Sequence, residues 1–299
     1  MTSPDPRTAA VSAPVVTVLG TGTMGAGMVR SLRRAGLPVR VWNRDGAKAR
    51  ALADVGAEAF DSPAEAAAGA GVVITMLLDA DAVTDAMRQA APAPGTAWLQ
   101  TATVGLDGVE RTIALARELG VELVDCPVMG TRKPAEEGAL VLLASGSESA
   151  RDQLAPVFEA LGRKTLWLGE AGAGSRLKLA CNAWVLMLTA GVAQSIALTR
   201  ALGLDPQEFF EVINGGPLDS AYARHKGALI MSGEYPVSFA LSGAVKDGRL
   251  IRSALRSADV PDRLMAAVTE TLEEAVRRVP DPAALDMSAV IEALSPRGH

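Results

Sequence analysis

Two groups of residues in this sequence have the types and spacing for chemistry. The first is Gly172-x-Gly174-x-x-x-Lys178-x-x-x-Asn182, in which a lysine and an asparagine stand one helical turn apart. On a helix the two share a face. Lys178 is flanked by Leu177, Leu179 and Ala180, and partial burial among such neighbours lowers an amine's pKa. An amine so tuned can give a proton to an oxygen that gains charge, or take one back. Asn182 can hydrogen-bond that amine, or a molecule beside it, while remaining neutral. The second group is Gly20-Thr21-Gly22-Thr23-Met24-Gly25, set between a β-branched run over residues 14–19 and an amphipathic stretch reaching Gly36. Strand, glycine turn and helix in that order place a dinucleotide pyrophosphate on a helix N-terminus. The glycines give a tight turn, close backbone approach and close helix–strand packing.

The elements that must carry these groups can be read from periodicity. A second strand over 38–41 runs into Asn43-Arg44-Asp45, the edge where an acid would hold a ribose hydroxyl and a base a 2′-phosphate. Arg44, with Lys48 one turn on, favours NADP(H); Asp45 keeps NAD(H) open as the less favoured alternative. Strands over 71–77, 96–101, 121–125, 140–144 and 164–168 alternate with helices over 82–90, 106–120 and 148–161, the pattern of a parallel sheet covered on both faces. Ligands bind outside the carboxyl ends of such strands. Leu77, Leu78, Thr103 and the stretch from Asp125 to Gly130 therefore fall on the rim of the glycine turn. The segment 130–138 reads as a polar loop.

The second half reads as all-helical. The run 179–199 is uncharged and predicts a long, mostly buried helix joining two halves, with Trp184 and Met187 in the core. Further helices are expected over 206–213, 241–257, 261–279 and 282–294, with Asp205-Pro206 and Asp281-Pro282 as start signals. The expected organisation is a flexible arm over 1–13, a nucleotide-binding α/β domain over 14–174 and an all-α domain over 175–299.

Composition bounds the partners. A chain of 299 residues, 49% hydrophobic, with net charge −5 fits a globular protein of two domains and offers no basic surface to nucleic acid. Cys126, Cys181, His225 and His299 complete the cysteines and histidines, too few for a disulfide framework or a His/Cys metal site. A reducing, cytoplasmic compartment is expected, and the first dozen residues lack the apolar core of a secretory signal. The uncharged run is long enough to span a bilayer. It contains Asn182, Thr189, Gln194 and Ser195 and lacks flanking basic and aromatic belts, so a buried helix is the better reading. One small domain can hardly bury such a helix alone, which suggests a homodimer or homotetramer through the C-terminal helices.

Together, the glycine turn ending in Met24-Gly25, Asn43-Arg44, Asp125-Cys126-Pro127-Val128 with Gly130, the Gly172–Asn182 pattern, and Phe239 with Lys246-Asp247 resemble the β-hydroxyacid dehydrogenase family across nearly the whole chain. Gly130-Thr131-Arg132-Lys133-Pro134 and Tyr235-Pro236-x-x-Phe239 look most like its glyoxylate and succinic semialdehyde reductases. The resemblance implies a Rossmann-type parallel-sheet domain, a helical C-terminal domain joined by a long helix, and hydride transfer between NADP(H) and a small hydroxy or aldehyde acid. It implies Lys178 as acid/base with Asn182 orienting it. Gly20, Gly22, Thr23, Met24, Gly25, Asn43, Arg44, Lys48, Leu77, Leu78, Thr103 and Lys246 would hold the cofactor. Thr103, Val128, Met129, Gly130, Thr131, Phe239 and Asp247 would meet the substrate. Two departures stand out: Met129 replaces a serine that helps hold a substrate carboxylate, and Gln100-Thr101-Ala102-Thr103 replaces Asp-x-Ser-Thr. An imine reductase on the same scaffold and an inert nucleotide-binding sensor are the alternative readings.

Overall fold

The computed structural model describes residues 13–294; the expected arm up to residue 12, and His299, lie outside the described residues. The chain forms two compact units. One is built from the chain up to Ala102 together with Arg111–Ala171, the other from Thr103–Glu110 together with the chain from Gly172 onward. The segment 103–110, which the sequence pattern assigned to the first domain, therefore packs with the second unit.

In chain order the α/β part comprises β1 (Val16–Leu19), α1 (Thr23–Arg34), β2 (Val39–Trp42), α2 (Gly46–Arg50), β3 (Glu58–Ala59), α3 (Pro63–Ala67), β4 (Val72–Thr75) and α4 (Ala80–Ala90). It continues through β5 (Ala97–Gln100), α5 (Gly105–Leu119), β6 (Glu122–Asp125), β7 (Val128–Met129), α6 (Arg132–Glu137), β8 (Leu140–Gly146), α7 (Arg151–Leu161) and β9 (Gly162–Trp167). The sheet order is β3-β2-β1-β4-β5-β6-β8-β7, with β9 paired to β8. Strands β1 to β6 are parallel. Every residue of β1, β4 and β5 is buried, as in central strands covered on both faces.

Beyond β6 the parallel-dominated sheet takes in an antiparallel strand: β8 runs antiparallel to β6 and β7 and parallel to β9. Strands β3 and β7 span two residues each, too few for alternation to register. The expected polar loop over 130–138 is corrected. Its middle is helix α6, which ends at Gly138 in the left-handed region (φ 71°). Pairs at i,i+4 join Arg132 to Glu136 and Lys133 to Glu137. Only Ala135 of α6 is buried, packed where a Cβ on Gly27 would come within 2.8 Å of its own. One buried position in a charged hexapeptide leaves no amphipathic stripe to read.

The second unit is built on α8 (Ala173–Ala201), α9 (Pro206–Ile213), α10 (Ala221–Ser232), α11 (Leu241–Ser257) and α12 (Arg263–Arg278), closed by a 3-10 segment, Met287–Ala293. Its extended pairing, among the described residues, is an isolated bridge between Ala240 and Asp286. Helix α10 was missed because its inward face includes Lys226 and Gly227 beside Ala223 and Ile230, which breaks the apolar stripe. The helix expected over 282–294 is a turn and then the 3-10 segment. Asp281 accepts from the N–H groups of Ala283 and Ala284, while Asp286 caps the 3-10 segment through Ser288.

Helix α8 is not mostly buried. Leu179, Asn182, Leu186, Thr189, Val192, Ala193 and Ile196 are buried along it, but Trp184 is 61% exposed and Leu198 56%. The expectation that Trp184 is core is thus corrected; a helix packed on one side buries a stripe. By length and composition α8 could also cross a membrane, and 39% of its most apolar window is buried within the fold.

Candidate active site

The first unit carries a glycine cradle. Because β1, β2, β4, β5 and β6 are parallel, their carboxyl ends share one edge, and the turn Gly20–Gly22 leaves β1 there. Gly20 has φ +103°, and a Cβ on it would collide with the Met76 carbonyl and lie 2.8 Å from Leu77 Cδ2. A Cβ on Gly25 would collide with the Gly20 carbonyl, whereas one on Gly22 would meet nothing within 4 Å. The turn is therefore packed tightly from below and open above. Gly22 caps α1 without a side-chain hydrogen bond, so Thr23 and Met24 begin a helix whose first N–H groups have no side-chain acceptor at the cap. The Thr21 N–H donates to Asn43 Oδ1 at 3.0 Å, which ties the turn to the end of β2. The Thr21 hydroxyl is buried with no hydrogen-bond partner among the described residues. An open glycine, an uncapped helix N-terminus and an orphaned hydroxyl fit a dinucleotide phosphate.

Around the cradle, Arg44 and Lys48 are exposed, with Lys48 Nζ 3.9 Å from Asp45. The Asp45 carboxylate accepts the Ala47 N–H and caps α2, so its role is local. Leu78 is 63% exposed at the same edge. After β6 the chain runs through buried Cys126, whose thiol is pushed up by burial and by the Asp125 charge, into Val128 and Met129. Val128 is buried, Met129 half-buried and Gly130 exposed. Sequence reasoning did not pick out Thr21, since a threonine between two glycines carries no periodic signal.

The second unit carries the polar cluster. Lys178 is partly buried in the second turn of α8. Burial, helped by the charge of Lys246 and opposed by Asp247 and Cys181, brings its ammonium down to about 8. Asn182 is 2% exposed and donates from Nδ2 to Asp247 Oδ2 at 2.6 Å. Asp247 is 4% exposed, and its Oδ1 lies 3.0 Å from Lys246 Nζ, close enough for an ion pair without hydrogen-bond alignment. Lys246 Nζ also donates to the Thr103 carbonyl at 2.7 Å. Lys178, Asn182, Thr103, Lys246 and Asp247 thus form one cluster inside this unit, built from α8, α11 and the residues just before α5. Phe239 is half-buried at the approach to α11, its ring beside Gly243. His225 is exposed.

Comparison with known proteins divides the chain once, near residue 170. Residues 15–169 match the NAD-binding domain of 6-phosphogluconate dehydrogenase. Residues 172–294 match the NAD-binding region of NADP-dependent 3-hydroxyisobutyrate dehydrogenase. The chain belongs to the β-hydroxyacid dehydrogenase family. Within this family it is 31% identical to the chloroplastic glyoxylate/succinic semialdehyde reductase 2 of Arabidopsis thaliana, over 92% of this chain and 78% of the plant protein. The crystal structure of 3-hydroxyisobutyrate dehydrogenase from Salmonella typhimurium superposes with a TM-score of 0.85 at 25% identity, over 93% of this chain and 99% of that one. An imine reductase from Myxococcus stipitatus shares the fold more distantly, with a TM-score of 0.65 at 21% identity over 94% of this chain and 100% of that one. As a β-hydroxyacid dehydrogenase the chain is an oxidoreductase with a nicotinamide cofactor.

Proposed function

We propose that this dehydrogenase is an NADP(H)-dependent reductase of a small aldehyde acid of the glyoxylate, succinic semialdehyde or 3-hydroxyisobutyrate type, with Lys178 as proton donor and acceptor. The observation that carries the reading is the partly buried Lys178 whose ammonium titrates near 8 beside the Asn182–Asp247 pair. A bound nicotinamide would supply or accept the hydride. Gly20, Gly22, Thr23, Met24 and Gly25 would hold its pyrophosphate, assisted by Asn43, which fixes the turn. Arg44 and Lys48, exposed and on one short segment, would meet a 2′-phosphate; with Asp45 occupied as a helix cap, NADP(H) is preferred to NAD(H). Leu77, Leu78, Thr103 and Lys246 complete the proposed cofactor contacts.

Lys178 keeps most of its protons at neutral pH and can release one to an alkoxide oxygen as it forms, a role that contributes roughly a hundredfold or more to rate. Asn182 gives one amide N–H to Asp247, and its carbonyl oxygen is the atom that could accept from the amine. Val128, Met129, Gly130, Thr131, Phe239 and Asp247 are the proposed substrate contacts. Met129 cannot donate a hydrogen bond, which supports a second reading: a less acidic carbonyl or an imine. A catalytically inert sensor would have no use for a lysine held near neutrality, and the Lys178 cluster speaks against one.

The test is turnover of NADPH against glyoxylate, succinic semialdehyde, methylmalonate semialdehyde and cyclic imines. Lys178→Ala is expected to lower kcat by about a hundredfold or more while leaving the NADPH Kd nearly unchanged; lost cofactor binding with surviving chemistry would refute the role. In the wild type, kcat for reduction should fall as pH rises through about 8, because the donor is the protonated amine. The reverse oxidation should gain over the same interval. Exposed Trp184, Leu198 and Leu202 support the further proposal of a homodimer or homotetramer packed through the C-terminal helices, with α8 at an interface rather than in a bilayer; a cytoplasmic compartment is proposed from the two cysteines alone.

A further inference from the structure

Outside the Lys178 cluster, the second unit holds a buried ion pair that the reaction does not use. Lys226 on α10 and Asp286, just before the 3-10 segment, have side chains only 1% and 0% exposed, with Nζ 2.7 Å from Oδ1. The carboxylate is saturated. Oδ1 also accepts the N–H and hydroxyl of Ser288 at 3.0 and 2.7 Å. Oδ2 accepts the N–H and hydroxyl of Ser238 at 3.1 and 2.7 Å, and the Phe239 N–H at 3.0 Å. Lys226 reaches Ser238 Oγ as well, at 3.3 Å. The carboxylate therefore joins two backbone segments distant in sequence, and Ala240 bridges to Asp286 between them.

Immediately after Ala240 the chain enters α11, the helix that carries Lys246 and Asp247. It begins without a side-chain cap. Its first N–H groups, those of Leu241 and Ser242, donate instead to the carbonyls of Leu285 and Pro282 at 2.9 and 3.1 Å. The start of α11 is thus held by the segment that Asp286 anchors. Asp247 lies two turns further on, and its carboxylate meets Asn182 and acts on Lys178.

We propose that Lys226 and Asp286 are positioning residues for the Lys178 cluster: their buried pair fixes the Ser238–Leu241 entry to α11 and, through that helix, the placement of Asp247 against Asn182 and Lys178. The proposal rests on the reading of Lys178 as the proton-handling group. Packing alone would not require a saturated carboxylate here, since a buried pair can be replaced by apolar residues at little cost to stability. An amide in place of the carboxylate has one accepting oxygen, so it can serve the Ser238–Phe239 side or the Lys226–Ser288 side but not both.

The experiment uses the full chain with Asp286→Asn, the charge-neutral double variant Lys226→Met with Asp286→Asn, and Ser238→Ala, which removes a single hydroxyl. Lys178 is titrated by NMR on lysine-labelled, cofactor-free protein, and kcat, KM and the NADPH Kd are measured alongside. The expected result is a shift of the Lys178 midpoint by about half a unit or more, a roughly tenfold fall in kcat and an NADPH Kd that does not change, with a smaller shift in the same direction for Ser238→Ala. If the double variant and Ser238→Ala fold and leave both the midpoint and kcat unmoved, the pair is structural and the proposal is wrong. Should the wild type reduce nothing in the panel, the reading of the reaction falls, while the titration still decides whether the pair positions Lys178.

Discussion

At the scale of single residues, the strongest discriminator of cofactor is Arg44. It stands exposed beyond the end of β2 with no acid of its own among the described residues, because Asp45 is turned to the N–H of Ala47 and Lys48 is the residue that approaches it. Arg44→Ala is therefore expected to raise the Kd for NADPH by about tenfold or more, in line with the loss of a charge-assisted phosphate contact, while changing that for NADH little. Equal losses for both nucleotides, measured by fluorescence titration, would remove the 2′-phosphate role. Much at this scale was legible in the sequence: the three glycines, Lys178 and Asn182 are all where spacing placed them. What spacing could not show is the partner of Asn182. Asp247 lies on a helix distant in sequence, and a contact of that range leaves no periodic trace. For the same reason Trp184 was misjudged, since an apolar side chain on an apolar helix carries no mark of which stripe faces outward.

At the scale of elements, the helices with caps or a strong apolar stripe were readable, and those organised around a buried charge were not. Helix α9 announces itself through Asp205-Pro206, and Asp205 does accept the Gln207 N–H. Helix α10 turns Lys226 inward and so contradicts the rule that lysines mark the wet face. The compensation for that burial makes a prediction. Burial would raise the Asp286 carboxyl, but the Lys226 charge and the hydrogen bonds from Phe239 and Ser238 outweigh it and hold the group at about 2. A carboxylate depressed in the folded state contributes stability that is complete above its unfolded value and is lost as pH falls through the folded one. Between about pH 4 and pH 2, the helical circular dichroism of the second unit should therefore melt out more steeply in the wild type than in the double variant Lys226→Met with Asp286→Asn. Parallel acid curves for the two proteins would show that the pair contributes nothing to this transition.

At the scale of the whole molecule, the alternation of strands and helices, and then helices alone, was enough to name the architecture, and the order β3-β2-β1-β4-β5-β6 is that of a dinucleotide-binding sheet. The antiparallel return of β8 was not foreseen, because direction is set by which edge a strand joins and not by its own composition. Nor was the division of the chain, in which Thr103–Glu110 packs with the second unit while the residues on either side belong to the first. Val104 and Val109 are buried there, at 4% and 1% exposure, and Leu106 packs against the second core. A fragment ending at Ala171 would strip that packing from Leu106. It is expected to be less soluble and to unfold at lower temperature than one in which Leu106 is replaced by a polar residue, as scanning fluorimetry would show; equal behaviour would mean that the segment finds other cover.

The same segment sets a rule for recombining this protein with its relatives. A chain that passes between its units at residues 102, 110 and 171 is not two modules on a string, and a single crossover at 171 would deliver eight residues of one parent's first half into the helical core of the other. Exchange of substrate preference by chimera therefore needs the 103–110 segment to travel with the helices it serves. Inheritance here tracks packing, and the order of residues along the chain is a poor guide to it.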